Sequence, residues 1–161
     1  MKKIFFLLFV SFSLTCLSQQ KSDFWKNVRY GGGFSMSFGN QTTIGISPSA
    51  IYAFDNGFSL GTGVTYMYSE IGDFTTNVYG VSLISLYQIP VVGIQLSGEF
   101  EHSFAKQTDR FGSESTNFPA IYFGAAYNKG RFAFGFRYDV LYDKNKSVYA
   151  SPFSPIVRFY F

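Results

Sequence analysis

From Val28 to Phe161 apolar side chains recur at every second position, in stretches broken by turn residues. Alternation with a period of two sets successive side chains on opposite faces of an extended chain, whereas an amphipathic helix needs apolar residues three and four apart. No stretch here carries the helical spacing, so strands are the only consistent reading. The clearest is residues 131–142, where Phe132, Phe134, Phe136, Tyr138, Val140 and Tyr142 alternate with Ala133, Gly135, Arg137, Asp139 and Leu141.

The same parity predicts seven more strands. Residues 28–39 set Val28, Tyr30, Phe34, Met36 and Phe38 against Arg29, Gly31, Gly33 and Ser35. Residues 43–54 set Ile44, Ile46, Tyr52 and Phe54 against Gly45, Ser47, Ser49 and Ala53, and residues 58–69 set Phe58, Leu60, Val64, Tyr66 and Tyr68 against Ser59, Gly61, Gly63 and Thr65. The alternation is weakest over residues 77–88, where Tyr79, Val81, Leu83 and Tyr87 oppose Gly80 and Ser82. Residues 93–105, 118–127 and 149–161 complete the set, with Phe100 and Phe104, Phe123 and Tyr127, and Phe153 and Val157 on their apolar sides.

Connections at 55–57, 88–92 and 128–130 hold Asn-Gly or Pro-containing hairpin turns, whereas 40–43, 70–76, 106–117 and 143–148 are polar and mostly longer. Short turns at one end and longer loops at the other is the layout of transmembrane barrels. Pro48, Pro152 and Pro155 fall inside predicted strands, where each withholds a ladder donor. They predict bulges or locally ended ladders, and an irregular outer seam between the last strand and the first. Pro119 is expected to begin a strand.

The residues opposite the apolar face decide between a soluble sandwich and a membrane barrel. A sandwich turns larger polar residues to water, but here the second side is mostly Gly, Ser and Ala, which fit the crowded interior of a narrow barrel. The chain is 21% aromatic and only 14% charged, against about 25% charged in ordinary globular proteins. In hydrocarbon every backbone donor and acceptor must be paired within the protein, and a closed barrel is the only sheet that achieves this. The expected fold is therefore all-β: an eight-stranded antiparallel up-and-down transmembrane β-barrel over residues 28–161. Tyr68, Tyr79, Tyr142 and Tyr149 would form one interfacial aromatic belt, and Tyr52, Tyr87, Tyr127 and Phe132 the other.

The N-terminus points to the same compartment. Lys2 and Lys3 precede an apolar run from Ile4 to about Thr15 and a small-residue site before Gln19. This is the pattern of a secretory signal peptide, and it is too short to span a bilayer as a helix, which takes about 20 residues. A cysteine at position 16 raises the lipoprotein alternative, but Ser13-Leu14-Thr15 lacks the leucine three places before the cysteine and the small middle residue that such a site needs. Cleavage after Ser18 is expected, leaving a short periplasmic segment, 19–27, before the barrel. The remaining chain would then hold no cysteine, hence no disulfide and no thiolate metal site. Loss of Lys2 and Lys3 lowers Lys plus Arg from 13 to 11 against 10 acidic residues, so no basic patch remains to recruit nucleic acid.

Six charges share the inward parity: Arg29, Glu99, Glu101, Arg137, Asp139 and Arg158. Glu99 and Glu101 are expected to pair with Arg137 at mid-height, in a cluster that is structural rather than a proton path, because eight strands leave a lumen filled by side chains. The only histidine, His102, would face lipid opposite Tyr79, six positions from the outward Ser85, or near 20 Å at about 3.3 Å per residue, too far for a Ser-His pair. Gly31-Gly32-Gly33 lies inside a strand with no helix after it, so it reads as a site of close packing or bending and not as a phosphate loop. No catalytic, cofactor-binding or metal-binding residue emerges. Arg158-Phe159-Tyr160-Phe161 is an alternating strand with a terminal phenylalanine, and Phe159 and Phe161 resemble the signal by which barrel-assembly machinery takes up its clients.

Three stretches, Phe24 to Gly33 (FWKNVRYGGG), Ser47 to Tyr52 (SPSAIY) and Arg137 to Ser147 (RYDVLYDKNKS), resemble a family of small bacterial outer-membrane barrel proteins. Some members bear the name alpha-ketoglutarate decarboxylase. That thiamine-dependent chemistry needs a large multi-domain enzyme and a glycine-rich diphosphate loop on a helix, and this chain has neither. The expectation is a non-enzymatic outer-membrane barrel with a plugged lumen and a structural or surface role, its partners being membrane lipid and the assembly machinery. The alternatives are a lipid-modifying enzyme, or a ligand-binding or adhesion barrel acting chiefly through loop 106–117.

Overall fold

The computed structural model describes residues 23–37, 42–110, 112–143 and 151–161. The expected signal peptide, Phe38, Tyr149 and the loop residues 144–148 lie outside them. A one-turn helix, α1 (Asp23–Asn27), precedes eight strands: β1 (Val28–Ser37), β2 (Thr42–Ala53), β3 (Phe58–Ile71), β4 (Phe74–Ile89), β5 (Ile94–Thr108), β6 (Ser113–Lys129), β7 (Phe132–Asp139) and β8 (Phe153–Tyr160). Each strand pairs with its sequence neighbour, and β8 returns to β1, closing the barrel.

The inward and outward parity read from the sequence holds along the strands. Leu83, Phe123 and Phe136 lie outside at 61%, 61% and 69% exposure, while Val78, Ser103 and Ala133 lie inside at 0%. The interior is not lined by small residues alone. Ile51, Ile84, Leu86 and Tyr160 pack together near the end with the tight turns, and Met67, Val78, Ala105 and Phe118 pack together near the other end. These large inward side chains sit between the glycines and serines whose pattern defines the inner face, and a lumen of this width needs both sizes to fill it.

Several boundaries differ from expectation. Between β3 and β4 the expected loop 70–76 is a two-residue turn at 72–73, with Gly72 at φ +57°. Loop 106–117 is also largely strand: β5 and β6 stay in register out to Thr108↔Ser113, leaving 109–112 as the connection. Both faces of such a hairpin are exposed beyond the barrel wall, so its residues are mostly polar and no apolar alternation marks them as strand. The two turns are joined by an Arg110–Asp73 ion pair at 2.7 Å, exposed and so contributing only about 0–1 kcal/mol. At this same end β7 stops at Asp139, three residues short of the expected limit, because Asp139 Oδ1 accepts the Leu141 N–H at 2.9 Å and turns the chain.

The prolines act through the ladders. Around Pro48 the β2–β3 ladder is interrupted between Ile46↔Tyr66 and Ser49↔Gly63. β8 begins only after Pro152, and its pairing with β1 is confined to Gly31↔Tyr160, Gly32↔Phe159 and Gly33↔Arg158, the irregular seam expected. Pro119 does not begin its strand but lies inside β6, above the last β6–β7 pair at Tyr122↔Asp139. Ile121 turns its backbone groups toward β7, accepting from Val140 N–H at 2.9 Å. Pro119, two residues away, shares that direction, so the donor it lacks faces a side where the ladder has already ended.

The glycine triplet works by close approach. A Cβ on Gly31 would lie 2.0 Å from the Phe159 carbonyl oxygen, and one on Gly32 2.5 Å from that of Ser47. Gly31→Val is expected to force the β1–β8 seam apart, destabilising the barrel by on the order of 3 kcal/mol. Gly112→Ser, where a Cβ meets nothing within 4 Å, should leave stability unchanged. The urea midpoint of the heat-modifiable gel band in detergent measures both.

Candidate functional site

Five of the six predicted inward charges are gathered within the lumen, and their pairing differs from expectation. Glu99 on β5 is buried and receives two guanidiniums: Arg137 on β7 donates to Oε2 at 3.0 Å, and Arg158 on β8 donates to Oε1. One carboxylate thus joins three strands of the wall. Glu101 does not pair with Arg137. Two residues along β5, it accepts hydrogen bonds from the hydroxyls of Ser103 at 2.9 Å and Thr65 at 3.3 Å. Gly80 lies against the same group, where a Cβ would press on Ser103 Oγ at 3.1 Å and Thr65 Cβ at 3.3 Å.

Asp139 is buried, and its carboxylate serves the backbone, accepting from Ile121 and Leu141 N–H at 3.4 and 2.9 Å. Arg29 is the second residue of β1, on the inward parity and paired across the ladder with Ile51, but is exposed at the barrel end and outside the Glu99 cluster. Tyr122, missing from the sequence reading, completes the site. Its buried ring lies under the Arg137 guanidinium, 3.9 Å from centroid to Cζ, between Ala120 and Gly124 on the inward parity of β6. That parity was the available signal for it. A cation over a ring within about 6 Å gains roughly 0.5–2 kcal/mol, more as water is excluded.

Both Glu99 oxygens hold guanidinium donors and Glu101 holds hydroxyls, while Arg158 Nη1 and the Tyr160 hydroxyl are buried without a hydrogen-bond partner among the described residues. Among the described residues no group of three His, Cys, Asp or Glu side chains is placed to hold a metal ion.

His102 lies on the outward parity, opposite Val81 and Pro119 and edge-on to Phe104 at 4.9 Å, two positions from the expected register. The expected register places the four-residue turn of the 88–92 connection at 89–92, whereas it occupies 90–93. Ser85 pairs opposite Gly98 and donates to its carbonyl at 3.2 Å. It lies four positions along β4 from Val81, or about 13 Å from His102's level. No Ser-His pair forms. Phe159 and Phe161 both lie on the outer side at the tight-turn end, with ring centroids 4.5 Å apart.

No protein-family model and no curated protein matches this chain. Among solved structures it is similar to the outer membrane protein Ail of Yersinia pestis, whose backbone structure was determined in phospholipid bilayer nanodiscs. The identity is 16%, the match covers 83% of this chain and 94% of that one, and the TM-score is 0.48.

Removal of one partner from a buried ion pair leaves an uncompensated charge, at a cost of typically about 3–5 kcal/mol. Glu99→Ala, which strands both guanidiniums, is therefore expected to lower stability by about 4 kcal/mol. Arg137→Ala should cost less, because Arg158 remains on Glu99. Glu101→Gln, which keeps an acceptor for Thr65 and Ser103, should cost about 1 kcal/mol. Unfolding midpoints in detergent should follow that order, and an Arg137→Ala protein of unchanged stability would contradict the pairing.

Proposed function

We propose that this chain is an integral β-barrel of a bacterial outer membrane, with a sealed lumen and a structural or surface role. The observation that carries the membrane reading is the outer face. Phe34, Ile46, Leu60, Leu83, Phe100, Phe123, Phe136 and Val157, one from each successive strand, all stand exposed on it. In water such a surface would be an aggregation liability, whereas in hydrocarbon it is the required solvent contact. A transmembrane strand needs about 9–11 residues. β1 has 10, and β7, with 8, is prolonged by the Val140–Ile121 bond. β4, β5 and β6 have 16, 15 and 17, so their outer parts would stand above the bilayer as hairpin arms.

The plugged-lumen reading is supported by the two apolar clusters toward the ends and the Glu99 cluster between them. The ending Arg158-Phe159-Tyr160-Phe161 supports delivery by barrel-assembly machinery, and the polar arms, with residues 112–117 exposed, support a role at the surface. A lipid-modifying enzyme is disfavoured by the separation of His102 from Ser85.

The purified chain should migrate faster unheated than boiled in detergent gels, and should require amphiphile to stay monodisperse. Reconstituted in planar bilayers, it should carry no steady ionic current. Steady single-channel steps would overturn the sealed lumen, and a monodisperse protein in plain buffer would overturn the membrane reading itself.

A further inference from the structure

At the tight-turn end a row of rings leaves the barrel wall and continues onto α1. Phe58 stacks on Phe54 at 5.8 Å, Phe54 meets Tyr52 edge-on at 4.8 Å, Tyr52 stacks on Phe24 at 4.8 Å, and Phe24 meets Trp25 edge-on at 5.3 Å. The first three rings lie on the outward side of the β2–β3 hairpin, and Asn27 Nδ2 donates to Tyr52 Oη at 3.3 Å, tying the helix to the same strand. A five-residue helix is too short to be stable alone, so this contact holds it. Its rings nevertheless remain outside any protein core: Phe24 is 49% exposed and Trp25 59%.

The same end is basic. Lys26, Arg29, Lys129 and Arg131 are exposed there, with Asp55 as the acidic counterpart among the described side chains. The opposite end mixes both signs, with Glu70, Asp73, Asp109 and Glu114 beside Lys106 and Arg110, the last paired with Asp73. Aromatic rings that favour the hydrocarbon boundary, set beside cations, match one surface: the interfacial layer of a membrane containing anionic phospholipid.

We propose that α1 is an interfacial anchor, in which Phe24 and Trp25 extend the barrel's aromatic rim into the headgroup layer and Lys26, Lys129 and Arg131 select anionic phospholipid. The proposal rests on the membrane reading above and assigns the lipid class at one end of it. Packing against Tyr52 sets the depth of the helix. The charges attract lipid phosphate over about one Debye length, near 8 Å at physiological salt, and the rings supply the apolar contact.

Trp25 is the only tryptophan in the chain, so its fluorescence reports on this helix alone. The chain from Gln19 to Phe161, as expected after cleavage, would be refolded into phosphatidylcholine vesicles with and without phosphatidylglycerol, and insertion scored by heat-modifiable migration. The expected result is blue-shifted Trp25 emission, strongest quenching by bromines near the lipid carbonyls, and weaker acrylamide quenching when phosphatidylglycerol is present. Lys26→Gln and the Lys129→Gln/Arg131→Gln pair should each reduce the docked-to-undocked ratio, by about fivefold per charge, and high salt should erase the lipid difference. Phe24→Ser should raise acrylamide quenching in both lipids while insertion persists. An inserted barrel whose Trp25 is equally quenched in both lipids, or is as exposed as in urea, overturns the anchor and leaves the membrane reading standing. Failure to insert in either lipid overturns the membrane reading and the anchor with it.

Discussion

An eight-stranded sheet closed on itself encloses a space about as wide as the side chains that fill it. That width governs what every inward position can hold. Where strands approach most closely only hydrogen fits: a Cβ on Gly135 would lie 2.0 Å from the Ala125 carbonyl oxygen, the same distance as at Gly31 across the seam. Where the walls stand further apart, large residues cross the middle, and Tyr122, almost fully buried, is the clearest case. These glycines answer the close approach of neighbouring strands within the sheet, and Tyr122 answers the width of the lumen.

Within that space a charge has no bulk water, so it must find its partner across the barrel. Glu99 meets cations from β7 and β8, two and three strands away around the wall. A buried ion pair is weak evidence of net stabilisation, since desolvation offsets much of the attraction. Its stronger effect is on register. Slipping β8 by one residue would turn Arg158 to the outer face and Phe159 into the lumen, leaving Glu99 short of a cation and a charge on the apolar side. The cluster therefore penalises wrong pairings along the short β1–β8 seam, where three ladder pairs alone offer little discrimination.

The two ends of the barrel are built differently. At the tight-turn end Asn128 reaches Gln88 at 2.9 Å, α1 and Phe161 lie close to the wall, and the rings of Tyr52, Phe132 and Phe159 crowd the outer rim. At the other end β3 to β6 continue as polar arms tied by Arg110 and Asp73, while β7 and β8 stop lower. The asymmetry follows from where each strand meets a partner, and it presents exposed cations beside the α1 rings at one end and hairpins of mixed charge at the other.

Strand identity, inward and outward parity, the disruption at Pro48 and the weak seam near Pro152 and Pro155 were all legible in the sequence. They arise from local rules: side chains alternate along an extended backbone, and proline withholds a donor, wherever the strand lies. The arms at 70–76 and 106–117 were hidden because strand solvated on both faces has no alternation, and α1 because one turn of helix has no periodicity. Which carboxylate took the arginines was also out of reach. Glu99 and Glu101 share face, strand and chemistry, and only closure of the barrel brought Arg137 and Arg158 to the first and Thr65 and Ser103 to the second. Alternation along the backbone is a property of neighbours in the chain, and the sequence determined it unaided; contact across the lumen is a property of curvature and register, which the closed sheet alone decided.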